Sequence, residues 1–330
     1  MVHPAEGTDN SRITVPLTRL LRRRHNRGTI VPRTSDLGGS PMQVPAQFEY
    51  ERATSVEHAL RLLVKYGPES RVIAGGHSLI PMMKLRLAQP EALIDINGLT
   101  ELSRIEVEGD DLRIGAMVRH AELLASPVAG ELFPILHDAE RVIADPIVRN
   151  RGTIGGSLCQ ADPSEDLSAA FTALHAVAVI QGAEGTRTVP VREFFTGPYD
   201  TVVGPLELLV ELRIPIRPGN VSAYAKVTRR TGDWAVAAAG ASLVLDGPTI
   251  VEVGVGLTAL GAPHFIAAEA EDFLRGGAAT DSRFAEAGVI AARHCTPAAD
   301  QRGPVVYKRH LAAALTGRSL RLARDRRPAE

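Results

Sequence analysis

The stretch from Arg71 to Lys84 constrains this chain more than any other. Its Val72, Ile73 and Ala74 read as a short buried strand, followed by the pair Gly75-Gly76, then His77-Ser78, then the apolar run Leu79-Ile80-Pro81-Met82-Met83. Paired glycines allow a positive φ and carry no Cβ to hold a ligand away. The amides of Gly75 to Leu79 can then point together at an anion, as a nest or a helix N-terminus does. A second pair follows in Arg151-Gly152-Thr153-Ile154-Gly155-Gly156-Ser157-Leu158, again behind an apolar stretch and again before serine. Two matched turns predict two backbone walls around one phosphate-bearing ligand.

The surrounding pattern is α+β. Val56, Ala59, Leu60, Leu63 and Val64 recur at helical spacing between Thr54 and Tyr66, with Thr54 or Ser55 as cap and Gly67-Pro68 as stop. Strands are expected at Arg71–Ala74 and Ala92–Ile96, and a hairpin joins Ile105–Val107 to Leu112–Ile114 through an acidic turn. Helices are expected at His120–Ala125, Leu132–Ala139 and Asp166–His175, and strands at Ala176–Gln181 and Leu208–Ile214. Pro215, Pro218 and Gly219 then mark a domain boundary. Beyond it come strands at Ala223–Thr228, Ala235–Leu245 and Ile250–Leu257, then helices at Phe265–Leu274 and Ser282–Cys295. A last helix, Val305–Leu315, is expected to stop at Thr316-Gly317.

Residues 1–41 carry Arg22-Arg23-Arg24 and no sustained periodicity, and His25-Asn26-Arg27-Gly28 stands where a twin-arginine export signal needs an apolar segment. They read as a disordered extension or as the product of an upstream start, with Met42 as the natural N-terminus. The expected organisation is therefore 42–217, 218–323 and a tail at 324–330.

Net charge and aromatic content exclude a nucleic-acid role: the formal charge is -1 and only 4% of residues are aromatic. Two distant cysteines, Cys159 and Cys295, cannot ligate an iron–sulfur cluster or build a disulfide framework, which predicts a cytoplasmic protein. No apolar run is long enough to span a bilayer.

Several local motifs have competing readings. Gly254-Val255-Gly256-Leu257-Thr258-Ala259 fits a dinucleotide fingerprint, but Gly261 and Pro263 interrupt the helix it needs, so a strand is expected. No P-loop lysine follows either glycine pair. Ser78 resembles a nucleophile elbow, yet Ile80 replaces its second glycine, which leaves a hydrolase a poor fit. Cys159 reads as a small packed residue. Asp162, Glu165 and Asp166 are either helix-capping acids or acceptors for ribose hydroxyls or an adenine amine. Lys226 lies in the basic run Tyr224–Trp234, which is either solvated charge or part of a cleft.

The two glycine segments together, with Arg229-Arg230, Gly232-Asp233 and Tyr307-Lys308-Arg309-His310-Leu311, resemble the FAD-binding medium subunits of molybdenum hydroxylases. The likeness runs from Met42 to about Ala323 and is strongest to the medium chain of aerobic carbon monoxide dehydrogenase and its xanthine-dehydrogenase relatives. It implies an FAD domain of the vanillyl-alcohol-oxidase (PCMH) type, made of two α+β subdomains. A smaller C-terminal α+β domain with an antiparallel sheet and helices would complete the chain.

By that resemblance, Val72, Ile73, Ala74, Gly75, Gly76, His77, Ser78, Leu79 and Ile80 bind the FAD, and the amides of Gly75 to Leu79 wrap its pyrophosphate. Thr153, Ile154, Gly155, Gly156 and Ser157 hold the pyrophosphate and flavin side, Asp162 binds the cofactor, Asp166 lies near the nucleotide, and Leu208 (or Leu209) and Lys226 lie close to adenine or isoalloxazine. Cys159-Gln160 departs from the Ala-His of many relatives. The resemblance also implies partners: a large subunit with the molybdenum cofactor and a small subunit with two [2Fe–2S] clusters, arranged as a dimer of heterotrimers. This chain would accept electrons from the clusters and pass them to an external acceptor. The alternatives are a stand-alone FAD-dependent oxidoreductase with its own substrate site, and a scaffold subunit without flavin.

Overall fold

The computed structural model describes residues 44–326, so the expectations for residues 1–41 and for the last residues of the tail lie outside the described residues. The first layer is built from β1 (Glu49–Arg52), α1 (Val56–Tyr66), β2 (Ser70–Ile73), α2 (Leu79–Lys84) and β3 (Ala92–Asp95). The three strands are parallel in the order β1-β3-β2. Ser55 caps α1 by accepting from the His58 amide at 3.1 Å, and Val56, Ala59, Leu60, Leu62 and Leu63 bury its apolar face. The expected face is off by one position: Val64 is 57% exposed and Leu62 takes its place. Burying each leucine stabilises the layer by about 1.5–3 kcal/mol. Because all three strands run the same way, the segments after β2 and β3 emerge at one edge. Carboxyl ends of parallel strands are where open α/β sheets bind ligands.

The second layer starts with the expected hairpin, β4 (Ile105–Glu108) and β5 (Asp111–Gly115), turning at Gly109 with φ +62°. Short helices follow: α3 (His120–Ala125), α4 (Pro127–Leu132), α5 (Pro134–Val142), α6 (Pro146–Arg149), α7 (Ile154–Gln160) and α8 (Leu167–Ala173). Helix α5 starts two residues later than expected because Pro134 occupies its first turn, where the missing amide is harmless. Then come β6 (Val177–Gly182), β7 (Gly185–Pro190), α9 (Val191–Phe194), β8 (Phe195–Gly197), β9 (Asp200–Thr201) and β10 (Leu208–Pro215). The five-stranded antiparallel sheet has the order β4-β5-β10-β6-β7. Its core includes Leu112, Ile114, Leu158, Phe171, Ile180 and Leu212, all fully buried.

The remainder is an antiparallel meander, β11 (Asn220–Val227), β12 (Ala237–Asp246) and β13 (Thr249–Thr258), with α10 (Ala268–Leu274), α11 (Asp281–His294) and α12 (Val305–Arg324). The strand reading of Gly254 and Gly256 holds. A Cβ on Gly254 would lie 2.8 Å from the Ala173 carbonyl carbon, and one on Gly256 2.7 Å from that of Ala169, so these glycines let β13 press against α8. Helix α12 corrects an expectation, since it runs through Gly317 to Arg324. A helix-interior glycine costs about 1 kcal/mol. Here it lets α12 approach α11, where a Cβ would stand 3.3 Å from the Phe284 carbonyl oxygen.

Candidate functional site

The loop after β2 carries a run of backbone donors. Among the described residues, no protein acceptor takes the amides of Gly75, Gly76, His77, Ser78 or Leu79; the first committed amide is Ile80, which donates to Gly76 at 3.0 Å. Only Gly76 uses the positive φ, at +78°. Gly75 needs its missing Cβ for a different reason. A Cβ there would collide with the Arg151 carbonyl oxygen and lie 2.8 Å from Gly152 Cα. The two glycine-bearing segments, more than seventy residues apart in sequence, are thus in backbone contact.

The second segment is not a turn like the first, which corrects the expectation of two equivalent loops. Thr153 caps α7, its Oγ1 accepting from the Gly156 amide at 3.1 Å. The Ile154 and Gly155 amides donate to Val118 and Ala116 at 2.9 and 2.8 Å, and the Ser157 amide to Thr153 at 2.9 Å. Those four donors are already used, so this segment acts as a packed wall and not as an amide cradle. Gly155 is required because a Cβ would come within 2.6 Å of Ala116 Cβ. Neither Gly155 nor Gly156 has a positive φ.

Arg119 and Asn97 join the two segments. Asn97 Nδ2 donates to the Ala74 carbonyl at 2.7 Å, and Arg119 Nη2 donates to Asn97 Oδ1 at 2.7 Å. Arg119 Nη1 donates to the Arg151 carbonyl. Asp95, at the end of β3, accepts from the Asn97 amide at 2.8 Å.

Beneath the second segment lies a buried polar floor. Ser157 Oγ donates to Glu165 Oε2 at 2.7 Å, and Glu165 also accepts from the amides of Leu167 and Ser168 and from the Ser168 hydroxyl. Burial pushes the Glu165 carboxyl up to about 7, against the pull of those donors. Lys226 Nζ donates to Asp166 Oδ2 at 2.7 Å and to the Val142 carbonyl at 3.1 Å, and the Tyr224 hydroxyl donates to Asp166 Oδ1 at 2.8 Å. Both ion-pair side chains are about 95% or more buried, with 3% and 5% exposure. Burial raises Asp166 above the usual carboxylate range, and Lys226 works against that rise. His120 Nδ1 lies 3.0 Å from Glu140. Burial pulls that imidazole down, but Glu140, Glu165 and Asp166 more than offset it, leaving it raised.

The structure therefore sorts the expected residues. Ala74 to Leu79 form the open loop, while Val72 and Ile73 belong to the strand end that supports it. The side chains of Ile73 and Ile80 lie over Gly76. Thr153 to Ser157 stand against the loop. Asp162 accepts from the Ser164 amide and from the Tyr199 hydroxyl at 3.2 Å, which makes it partly a turn former. Asp166 and Lys226 neutralise each other out of solvent, so the solvated-charge reading of Lys226 does not describe it. Leu208 is 4% exposed and belongs to the core cluster that includes Val179 and Met117. Cys159, on the short helix α7, is partly open to solvent, yet the protein around its thiol pushes its pKa up to about 12. Arg119 was not expected; its contacts span 22 and 32 residues, and no local pattern announces them.

A wall-backed row of amides with no acceptor among the described residues is a backbone arrangement suited to an anion. Comparison with known proteins gives the class. Residues 46–217 match the family described as the FAD binding domain in molybdopterin dehydrogenase, and residues 222–323 match the CO dehydrogenase flavoprotein C-terminal domain. The chain belongs to the family of FAD-binding medium subunits of molybdenum hydroxylases. It is 42% identical to the carbon monoxide dehydrogenase medium chain of Hydrogenophaga pseudoflava over 282 residues, 85% of this chain and 98% of that one. The solved structure of that organism's carbon monoxide dehydrogenase, in a form lacking the Mo-pyranopterin moiety, superimposes with a TM-score of 0.83, covering 86% of this chain and all of the matched one. Quinoline 2-oxidoreductase from Pseudomonas putida 86 gives a TM-score of 0.79 at 33% identity, covering 85% and 98% of the two chains.

Proposed function

We propose that this chain binds FAD as the electron-output subunit of a cytoplasmic molybdenum hydroxylase. In this reading a large partner subunit carries the molybdenum cofactor and a small one carries two [2Fe–2S] clusters, the whole forming a dimer of heterotrimers. Relatives named as medium chains or medium subunits of dehydrogenases and hydroxylases support it. Among the described residues no helix is long and apolar enough to cross a membrane.

One observation carries the proposal. Five amides, Gly75 to Leu79, have no acceptor among the described residues and open beside a backbone wall that a Cβ at position 75 would clash with. Gly75, Gly76 and Leu79 are half-buried, where an amide needs an acceptor, and His77 and Ser78 are exposed to an incoming ligand. A diphosphate offers several oxygens of the right charge. The residues present fit FAD: Gly75 to Leu79 would take its pyrophosphate oxygens, and Thr153 to Ser157 would hold it from the other side. Asp166 and Lys226, paired beneath, would keep that wall in place without exposing charge. Asp162, at the partly exposed rim, has a carboxylate oxygen suited to a ribose hydroxyl. The chemistry supplied by bound FAD is acceptance of single electrons and their delivery to an external acceptor. The protein supplies binding, orientation and electrostatics.

The test is reconstitution with the neighbouring subunits. Substrate should bleach the flavin absorbance only when the cluster-bearing subunit is present, and the isolated chain should bind FAD without turning over substrate. Substrate-driven flavin reduction by the isolated chain would overturn the electron-transfer role in favour of a self-sufficient oxidoreductase.

A further inference from the structure

We propose that Arg119 is a positioning residue for the flavin nucleotide, which locks the two glycine-bearing segments in register and, together with Arg151, keeps a positive charge beside the free amides for a diphosphate. The inference rests on the FAD reading above and assigns this part of it to residues that neither glycine motif contains.

The geometry is a closed ring. Ala74 precedes the open loop, and its carbonyl accepts from Asn97 Nδ2 at 2.7 Å. Asn97 Oδ1 accepts from Arg119 Nη2 at 2.7 Å. Arg119 Nη1 donates to the Arg151 carbonyl, and that carbonyl fills the space where Gly75 has no Cβ. Hydrogen bonds therefore lead from one wall to the other, and a van der Waals contact closes the circuit. The Arg119 amide donates to Glu122 Oε2 at 2.8 Å, which fixes the backbone of the bridging residue. A forked side chain presents two donors on separate nitrogens in a fixed plane, one to each acceptor, whereas an ammonium must reach both from a single nitrogen.

Charge around the ring is unbalanced. Arg119 feels Glu122 and Asp95 as attraction and Arg151 as repulsion, and Asp95 also faces Arg52. Three guanidinium groups thus meet two carboxylates, and Asp95 is further engaged by the Tyr50 hydroxyl and Asn97. Burial, then the Arg151 charge, lowers Arg119 from its ordinary value. An anion next to the free amides relieves that repulsion.

The test uses the assembled complex, stripped of flavin and titrated with FAD or with riboflavin, which lacks phosphate, at low and high salt. Arg119→Lys keeps the charge but not the fork, so FAD affinity should fall about tenfold at every salt concentration, the loss of one charge-assisted hydrogen bond. Arg151→Gln keeps the backbone carbonyl but not the charge, so it should flatten the salt dependence of FAD binding and leave riboflavin binding unchanged. Arg151 is exposed, so folding of that variant is safe. FAD affinity and salt dependence equal to wild type in both variants would overturn the proposal, as would equal losses of FAD and riboflavin in Arg151→Gln. A wild-type complex that takes up no FAD would sink the flavin reading itself, and this inference with it.

Discussion

Replacing Gly75 by alanine tests the wall directly. The new Cβ would collide with the Arg151 carbonyl oxygen and stand 2.8 Å from Gly152 Cα and 2.9 Å from the Arg151 carbonyl carbon, where ordinary contact begins at 3.4 Å. The segments must part by at least about 0.6 Å to accept it. Neither side yields easily. The Arg151 carbonyl is held by Arg119, and the Gly152 amide donates to Val148 at 2.7 Å. Overpacking of this kind costs about 1–3 kcal/mol. If that strain is borne by the bound geometry, FAD affinity falls roughly ten- to a hundredfold, at 1.4 kcal/mol per decade. Gly76→Ala is the control. Its φ of +78° brings strain, but the Cβ meets side chains and no backbone: Ile80 Cδ1 at 2.8 Å and Cγ1 at 3.4 Å, and Ile73 Cδ1 at 3.6 Å. The assay is flavin absorbance titrated against apo-protein, with thermal unfolding of both apo-variants to separate binding from folding. Gly75→Ala binding FAD with wild-type affinity and unchanged unfolding would refute the steric argument.

Two further substitutions probe the polar floor. Lys226→Met strips the counter-charge from a buried Asp166 and should destabilise the chain by about 3–5 kcal/mol at pH 8, measured by urea unfolding. The loss should shrink as pH falls, because the uncompensated carboxyl takes up a proton; a loss below about 1 kcal/mol at pH 8 contradicts the reading. Glu165, raised in the fold to about 7 from 4.5, binds its proton more tightly folded than unfolded. Its stabilising contribution is complete below pH 4.5 and is lost as pH rises through about 7, by up to about 3 kcal/mol. Glu165→Gln should remove that slope, so the stability difference from wild type must change between pH 4.5 and 7 in urea titrations. A constant difference rules the shift out.

Much of the fold could be read locally, and the site only in part. Helix α1 was legible because its cap, its spacing and its Gly67 stop agree, and the β4–β5 hairpin because its acidic turn interrupts two short apolar runs. The first glycine loop was legible through Gly76, whose positive φ is a property of its own backbone, while Gly75 answers to Arg151 across the chain. The second was not. Glycine pairs read as turns, yet Gly155 is glycine because Ala116, far away in sequence, crowds it. Gly317 misled in the same way, with Phe284 as the hidden neighbour. Local pattern reports backbone preference, and these glycines answer to tertiary contact. The charged residues show the same limit. Asp166 and Lys226 stood out individually, but nothing in the sequence says that they neutralise each other across sixty residues, and Arg119 had no signal at all.

The most direct test of the account is to purify the chain with its partners and count flavin. One FAD per chain is expected, released by acid and displaced in competition by inorganic pyrophosphate, because the free amides from Gly75 to Leu79 recognise the diphosphate. A colourless preparation that stays colourless with added FAD, or one whose flavin binding ignores pyrophosphate, contradicts it.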